Sequence, residues 1–232
     1  METKTIIVIP VHNQDKQLYK NLTNLRELNT DLLVVDDGSS DSTYSIVQNN
    51  SWMKYIKHEY ELGIGSSIIT GYEYARDYNY DIMILLDLNN IRFRQEISQL
   101  TENITYGYDI VTSSRILENF NHQDIPRHLI DTTFDVSSRV REITGLDITD
   151  PLSGIKAIRI NALKDMELTE FNHGIFLQML IQGNYLGLSI IEIPAMTGNG
   201  FGSELLAYED PAGLFLSLLE TEKFLYAKKN IN

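Results

Sequence analysis

The chain opens with a short β-branched run, KTIIVIP (residues 4–10), and switches to helical spacing from about Gln14 to Leu28. The alternation then recurs. DLLVVDD (31–37) predicts a second strand that closes in the turn residues GSSD, and Asp41 or Ser42 can cap a helix over STYSIVQNN. YIKHEY (55–60) predicts a third strand, followed by a helix that opens at GIGSS and runs through Arg76. DIMILLDL (81–88) is nearly all apolar, the pattern of a strand buried on both faces. A helix from about Arg94 to Tyr106 and a strand over DIVTSSRI (109–116) follow. Strands and helices in turn imply an α/β fold with a parallel sheet wound by helices.

The second half changes character. Residues 117–128 are polar and loop-like, and a helical stretch then runs to about Thr144. After Asp150-Pro151 the pattern predicts a strand over SGIKAIRI, a helix around 173–183 and a strand over LSIIEIPAM. A glycine-rich segment, TGNGFGSE, and a last helix within 211–228 complete it. With no internal repeat and no linker, one domain over 1–232 is expected. In open parallel sheets, ligands sit at the carboxyl ends of strands near a reversal in strand order. Five polar clusters fall at such ends: Pro10 to Asn13, Asp36 to Gly38, the glycines after Tyr60, Asp87 to Arg92, and Ser113 to Arg115.

Composition narrows the function classes. The 232 residues are 43% apolar and 22% charged, enough for a real core, and the 32 acidic against 19 basic residues give a formal charge of −13. Nucleic acid is excluded as a partner on this balance, because a phosphate backbone calls for a basic face. There are no cysteines, so no disulfide and no thiolate metal site. The five histidines show no paired metal-ligand spacing, and no Gly-x-Ser-x-Gly elbow is present. No run approaches the roughly 20 apolar residues of a membrane span. A soluble, cytoplasmic protein is expected, with peripheral membrane contact and homo-oligomerisation left open.

Three motifs carry candidate chemistry. In VVDDGSSDST (34–43), two carboxylates before a glycine turn suit nucleobase N–H groups and ribose hydroxyls, and equally suit a turn with a helix cap. In ELGIGSSIITGYEYA (61–75), Gly63 and Gly65 can bring backbone N–H groups to an anion or can serve the turn alone, while Gly71 suits close packing. In DPLSGIKAIRI (150–160), Asp150 is either turn chemistry or a solvated carboxylate at the mouth of the sheet, able to bind a sugar hydroxyl or act as a base. A fourth stretch, ILLDLNNIRF (84–93), releases Asp87 from a buried strand, with amides where a second carboxylate would complete a metal site.

In order and spacing, IIVIPVHNQ, LVVDDGSSDST, LGIGSSIITGYEYA, ILLDLNN, DIVTSSRI and GLDITDPLSGIKAIR resemble the family 2 glycosyltransferases with a GT-A fold, and most closely their polyprenyl-phosphate sugar synthase branch. The resemblance runs from about residue 4 to 205. It implies a mostly parallel central sheet flanked by helices, with a nucleotide-binding half (1–116), an acceptor-side half (117–205) and a C-terminal helix (206–232). It implies that Pro10 and His12 line a base pocket, that Asp37 meets nucleobase or ribose, and that Gly63 and Gly65 turn beside the nucleotide. Asp87 would begin an Asp-x-Asp motif holding Mg²⁺ or Mn²⁺ on the diphosphate, with Asn89 as the second metal position. Asp87, Asp150 and Arg115 are the catalytic candidates; Ser114, Arg127, Ser153 and Gly154 fall on the acceptor or phosphate side. The implied reaction moves a sugar from a UDP- or GDP-sugar to a lipid phosphate or glycan.

The departures from the family pattern cluster at the chemistry. Asn89 replaces the second aspartate, Gln14 a glutamate, Glu61 and Ile64 residues that are often Asn and Lys, and Gln178 a glutamate; the segment after SIIEIP lacks its usual basic residues. A catalytically impaired protein that binds nucleotide or a partner is the alternative this raises. One remedy for the missing charge is a guanidinium from Arg92 or Arg94, since arginine can grip phosphate in a bidentate fork.

Overall fold

A computed structural model describes residues 3–89, 93–117, 127–195 and 211–229. Strand β1 (Thr5–Val11) is its spine: Ile6, Ile7, Val8 and Ile9 are all fully buried, which is why the run shows no polar alternation. On one side β1 pairs in parallel with β2 (Asp31–Asp36), which pairs with β3 (Lys54–Lys57) at the edge. On the other side it pairs in parallel with β4 (Ile82–Leu85).

The seven strands lie in the order β3-β2-β1-β4-β6-β5-β7. Strand β5 (Ile110–Ser114) and strand β7 (Ile190–Pro194) are parallel partners, but β6 (Lys156–Arg159) enters between β4 and β5 antiparallel to both. The sheet is thus mostly parallel, as the family resemblance implies, with β6 as its antiparallel strand. The cause lies just before β6. The turn at 149–154 is fixed beside the carboxyl end of β5, where Thr149 Oγ1 lies 2.6 Å from Ser114 Oγ, so the chain enters β6 from that end and must run back.

Helices cover both faces. Helices α1 (Asp15–Arg26), α2 (Thr43–Gln48) and α4 (Phe93–Thr105) bury Leu18, Leu25, Val47, Leu100 and Ile104 against Ile7, Ile9, Leu32 and Ile84. Helix α3 (Ile64–Asp77), the short α6 (Ile160–Leu163) and α7 (Gly174–Tyr185) cover the opposite face, with Ile68, Phe176 and Leu180 against Val8, Leu33 and Leu85. Every residue of α7 from Gly174 to Gly183 is buried, because α5 (Arg127–Thr144) and α8 (Pro211–Lys229) pack on its outer side through Val136, Val140, Phe215 and Leu219. A helix buried all round shows little amphipathic stripe. The predicted strand 81–88 is shorter than expected: β4 ends at Leu85, the Leu86 N–H makes a last bond to Val8 O on β1 (3.1 Å), and Asp87 to Asn89 leave the sheet.

Candidate functional site

The strand order reverses direction at β1 and β4, whose carboxyl ends open the crevice in which such sheets bind ligands. The loops after β1 and β2 are laced together there. Asn13, held at a positive φ of 50°, receives the backbone N–H of Ser40 on Oδ1 (2.9 Å), and its own N–H donates to Ser39 Oγ (2.9 Å). His12 Nδ1 lies 2.7 Å from the Asp37 carbonyl, which can only accept, so Nδ1 carries the proton and Nε2 receives Asn13 Nδ2 at 2.8 Å. Pro10, half-buried, sits opposite Val35 in the sheet just before this loop. Asp41 Oδ1 accepts the Thr43 N–H at 3.0 Å, giving the expected turn at the head of α2; Ser42 makes no side-chain cap.

Asp37 is 3% exposed and faces inward. Its Oδ1 accepts from Leu62 N (2.9 Å) and His58 Nδ1 (2.7 Å), and Oδ2 accepts from Gly63 N (2.7 Å). Three of a carboxylate's about four acceptor sites thus go to the protein itself. His58 is fixed in turn by Thr70 Oγ1, 3.0 Å from Nε2. The lone histidine in YIKHEY offered no signal of this role.

The glycines after β3 serve tight approach. Gly63 has φ +98°, and a Cβ there would lie 2.2 Å from the Phe171 carbonyl oxygen; one on Gly65 would lie 2.1 Å from that of Glu170. The Gly65 N–H donates to Phe171 O at 2.8 Å, so this amide, a candidate for an anion, is used inside the protein. Gly71 packs on Val8, where a Cβ would come within 2.5 Å of Cγ1.

At the tip of β4, half-buried Asp87 accepts the Asn89 N–H on Oδ1 at 2.8 Å, which turns the two side-chain positions onto one short loop. Among the described residues no group of three or more His, Cys, Asp or Glu is placed to hold a metal. One carboxylate and one amide oxygen fit a hard cation that arrives with its diphosphate, since Mg²⁺ commonly uses one or two carboxylates plus substrate phosphates. Arg94 is exposed and pairs with Glu27, so it is a surface residue; Arg92 lies outside the described residues, as do Asn90 and the glycine-rich segment 197–204.

The acceptor-side candidates form one buried network, and here the expectation of a solvated Asp150 is corrected. Asp150 is fully buried: Arg115 grips it with Nε at 2.6 Å and Nη2 at 2.7 Å, and the Arg115 backbone N–H adds a bond of 3.0 Å. Glu192 on β7 accepts the backbone N–H groups of Thr149 (2.6 Å) and Asp150 (2.7 Å). Burial pushes its carboxyl above the usual range, against those bonds. Ser114 receives the N–H groups of Ile116 and Leu117, Ser153 Oγ lies 3.3 Å from Ser113 Oγ, and Gly154 leaves room for the Phe176 ring. Arg127, by contrast, is exposed at the start of α5.

Lys156 escaped the sequence reading. Its long side chain is fully buried, with Nζ donating to Thr112 Oγ1 (2.8 Å) and to the Ser153 carbonyl (2.5 Å). Burial pushes its ammonium down to about 7, against the pull of Asp150 and Glu192. The signal available was its place two residues before Ile158 in a strand whose apolar side faces α7.

This chain is 29% identical over 204 residues to a dolichol-phosphate mannosyltransferase of Pyrococcus furiosus, a match covering 84% of the chain and 56% of that relative's length. It is 27% identical over 211 residues to the UDP-N-acetylglucosamine–dolichyl-phosphate N-acetylglucosaminyltransferase of Methanococcus voltae, covering 82% of this chain and 84% of the other. The fold matches that of a chain from Desulfovibrio desulfuricans G20 assigned as a nucleotide-diphospho-sugar transferase, at a TM-score of 0.51 and 12% identity over 98% of both chains. No helix among the described residues is long and apolar enough to cross a membrane. Residues 6–166 match the model of glycosyl transferase family 2, and the chain belongs to that family.

Proposed function

We propose that the protein transfers a sugar from a nucleotide-diphosphate sugar, with UDP or GDP as the nucleotide, to a polyprenyl phosphate. The observation that carries this reading is the closed state of Asp150, fully buried and held by Arg115. A glycan hydroxyl needs a base to remove its proton as it attacks, whereas a phosphate monoester is already anionic at neutral pH and needs none. A site whose most suggestive carboxylate is locked in an ion pair suits an acceptor of the second kind. The two relatives named above, both of which act on dolichyl phosphate by name, agree with it.

The phosphate oxygen attacks the anomeric carbon, the bond to the nucleotide diphosphate breaks, and the family resemblance implies inversion. The loops after β1, β2 and β3 hold the nucleotide, with His12 and the turn that Asp37 anchors on its flank. Asp87 and Asn89 would hold a divalent cation against the diphosphate. That cation would supply Lewis-acid neutralisation of the leaving group, needed in a chain of net charge −13. Ser114, Ser153 and Gly154 shape the side from which the acceptor enters, with Arg115 and Asp150 keeping their backbone in place. Nothing in the relatives favours the impaired alternative.

The test incubates the purified protein with UDP- and GDP-sugars, Mn²⁺ or Mg²⁺, and a short-chain polyprenyl phosphate, with product read by mass spectrometry. Transfer from one nucleotide class to the lipid phosphate is expected. Transfer only to a glycan, or no thermal shift with any of UDP, GDP, CDP or dTDP, would overturn the proposal.

A further inference from the structure

The C-terminal helix α8 reaches the proposed nucleotide side through hydrogen bonds joined by two short stretches of backbone. The path begins at Glu222, which is 2% exposed. Its two carboxylate oxygens accept from Gln178 Nε2 at 2.6 Å and Gln182 Nε2 at 3.1 Å, both on α7. Gln178 then turns its own oxygen outward to the backbone N–H groups of Thr169 (2.9 Å) and Glu170 (3.1 Å). Gln182 pins the same segment one step earlier, bonding both the N–H and the carbonyl of Glu167. The segment so pinned is the one that Gly63 and Gly65 press against. Phe171 O receives the Gly65 N–H, and Gly63 N–H closes the path on Asp37.

Two features make this more than adhesion between helices. The contacts at Gly63 and Gly65 leave no room for a Cβ, so a shift of 170–172 must move the turn or open a gap. The Glu222 carboxylate also influences the segment at a distance: burial first, and Glu222 second, push the Glu170 carboxyl above its usual range. We propose that Glu222 is a positioning residue for the nucleotide-side turn at 61–65, acting through Gln178 and the backbone of 169–172. The proposal rests on the reading that this turn borders the nucleotide; the bond path itself does not.

The test compares Glu222→Gln, Gln178→Glu and the swapped double variant, which restores an amide–carboxylate pair in the opposite sense. Amide hydrogen exchange over residues 61–66 and calorimetric UDP and GDP affinity are both measured well below the unfolding midpoint. Each single variant should quicken exchange in 61–66 and weaken nucleotide binding about tenfold, the loss of roughly one good hydrogen bond. The double variant should return both to near the wild-type value. Unchanged exchange in 61–66 in the single variants, or wild-type affinity in single variants of lowered melting temperature, would overturn the proposal and leave α8 a stability element alone. Quickened exchange with no nucleotide bound by any form, wild type included, supports the positioning role while overturning the nucleotide reading. If the single variants do not fold, Gln182→Met, which removes the longer bond to Glu222 together with both bonds to Glu167 and leaves Gln178 in place, is judged by the same exchange criterion.

Discussion

The two sides of the site, as proposed for nucleotide and acceptor, use Asp37 and Asp150 in opposite ways. On the nucleotide side, Asp37 and Asp41 receive backbone N–H groups and so shape loops near the surface. On the proposed acceptor side, Asp150 lies in the interior and faces the Arg115 guanidinium, while half-buried Glu192 receives the Thr149 and Asp150 N–H groups and ties β7 to the turn. A carboxylate bonded by amides can be weakened one bond at a time. One facing a buried guanidinium cannot lose its charge without breaking a buried ion pair. The nucleotide side should therefore degrade in affinity before it degrades in stability, and the acceptor side in the reverse order.

The largest effect should come from Asp150→Asn. It takes away the buried charge that Arg115 grips, at a cost of about 3–5 kcal/mol in chemical denaturation, and sugar transfer should fall with the folded fraction. Asp37→Asn should cost less, about 1–3 kcal/mol, because one amide N–H then faces a donor. Its signature is a raised KM for the nucleotide sugar with kcat changed less. Equal stability losses for the two variants would break the comparison.

Lys156→Met tests the interior from the other direction. The folded-state pKa of Lys156, about 7, lies below its ordinary value of 10.5. Between these values the unfolded chain binds more protons than the folded one, so wild-type stability from this group rises with pH across that window. Below about 7 the full cost of burying the charge is present. The stability of Lys156→Met relative to wild type should therefore improve as pH falls from about 10 to 7. A difference that does not vary with pH would mean that the ammonium keeps its charge through its buried partners. The smallest structural effect is expected of Asn89→Asp, within about 0.5 kcal/mol of wild type. It should lower the Mn²⁺ concentration needed for half-maximal transfer, because a second charge joins Asp87.

Much of the fold was legible because the central strands are buried on both faces and so read as unbroken apolar runs. Strand direction was not. IKAIRI carries the same side-chain pattern whichever way it runs, and only the turn at 149–154 decides it. The exit of Asp87 from β4 could be read from an apolar run ending in a carboxylate and amides. The burial of Asp150 could not, since Asp-Pro is ordinary surface turn chemistry and its partner Arg115 lies 35 positions earlier in the chain. Lys156 was missed for a related reason. Lysine is seldom fully buried, and the acceptors that make it tolerable, Thr112 and the Ser153 carbonyl, are brought together only by the register of β5 on β6. Arg127, expected on the acceptor side from the family resemblance, is exposed at the start of α5.

The reversed strand β6 also dictates an order of assembly. It alone joins β4 to β5, pairing Ile82 with Arg159 and Ile110 with Ile158. A chain emerging from the ribosome can complete the block β3-β2-β1-β4 from its first 85 residues, but β5 has no partner in that block and must wait. Closure of the sheet is thus a late event of high loop-closure cost. Pulsed hydrogen exchange during refolding should find the amides of β1 and β2 protected before those of β5. Simultaneous protection would show that β6 inserts early, as a seed for the sheet.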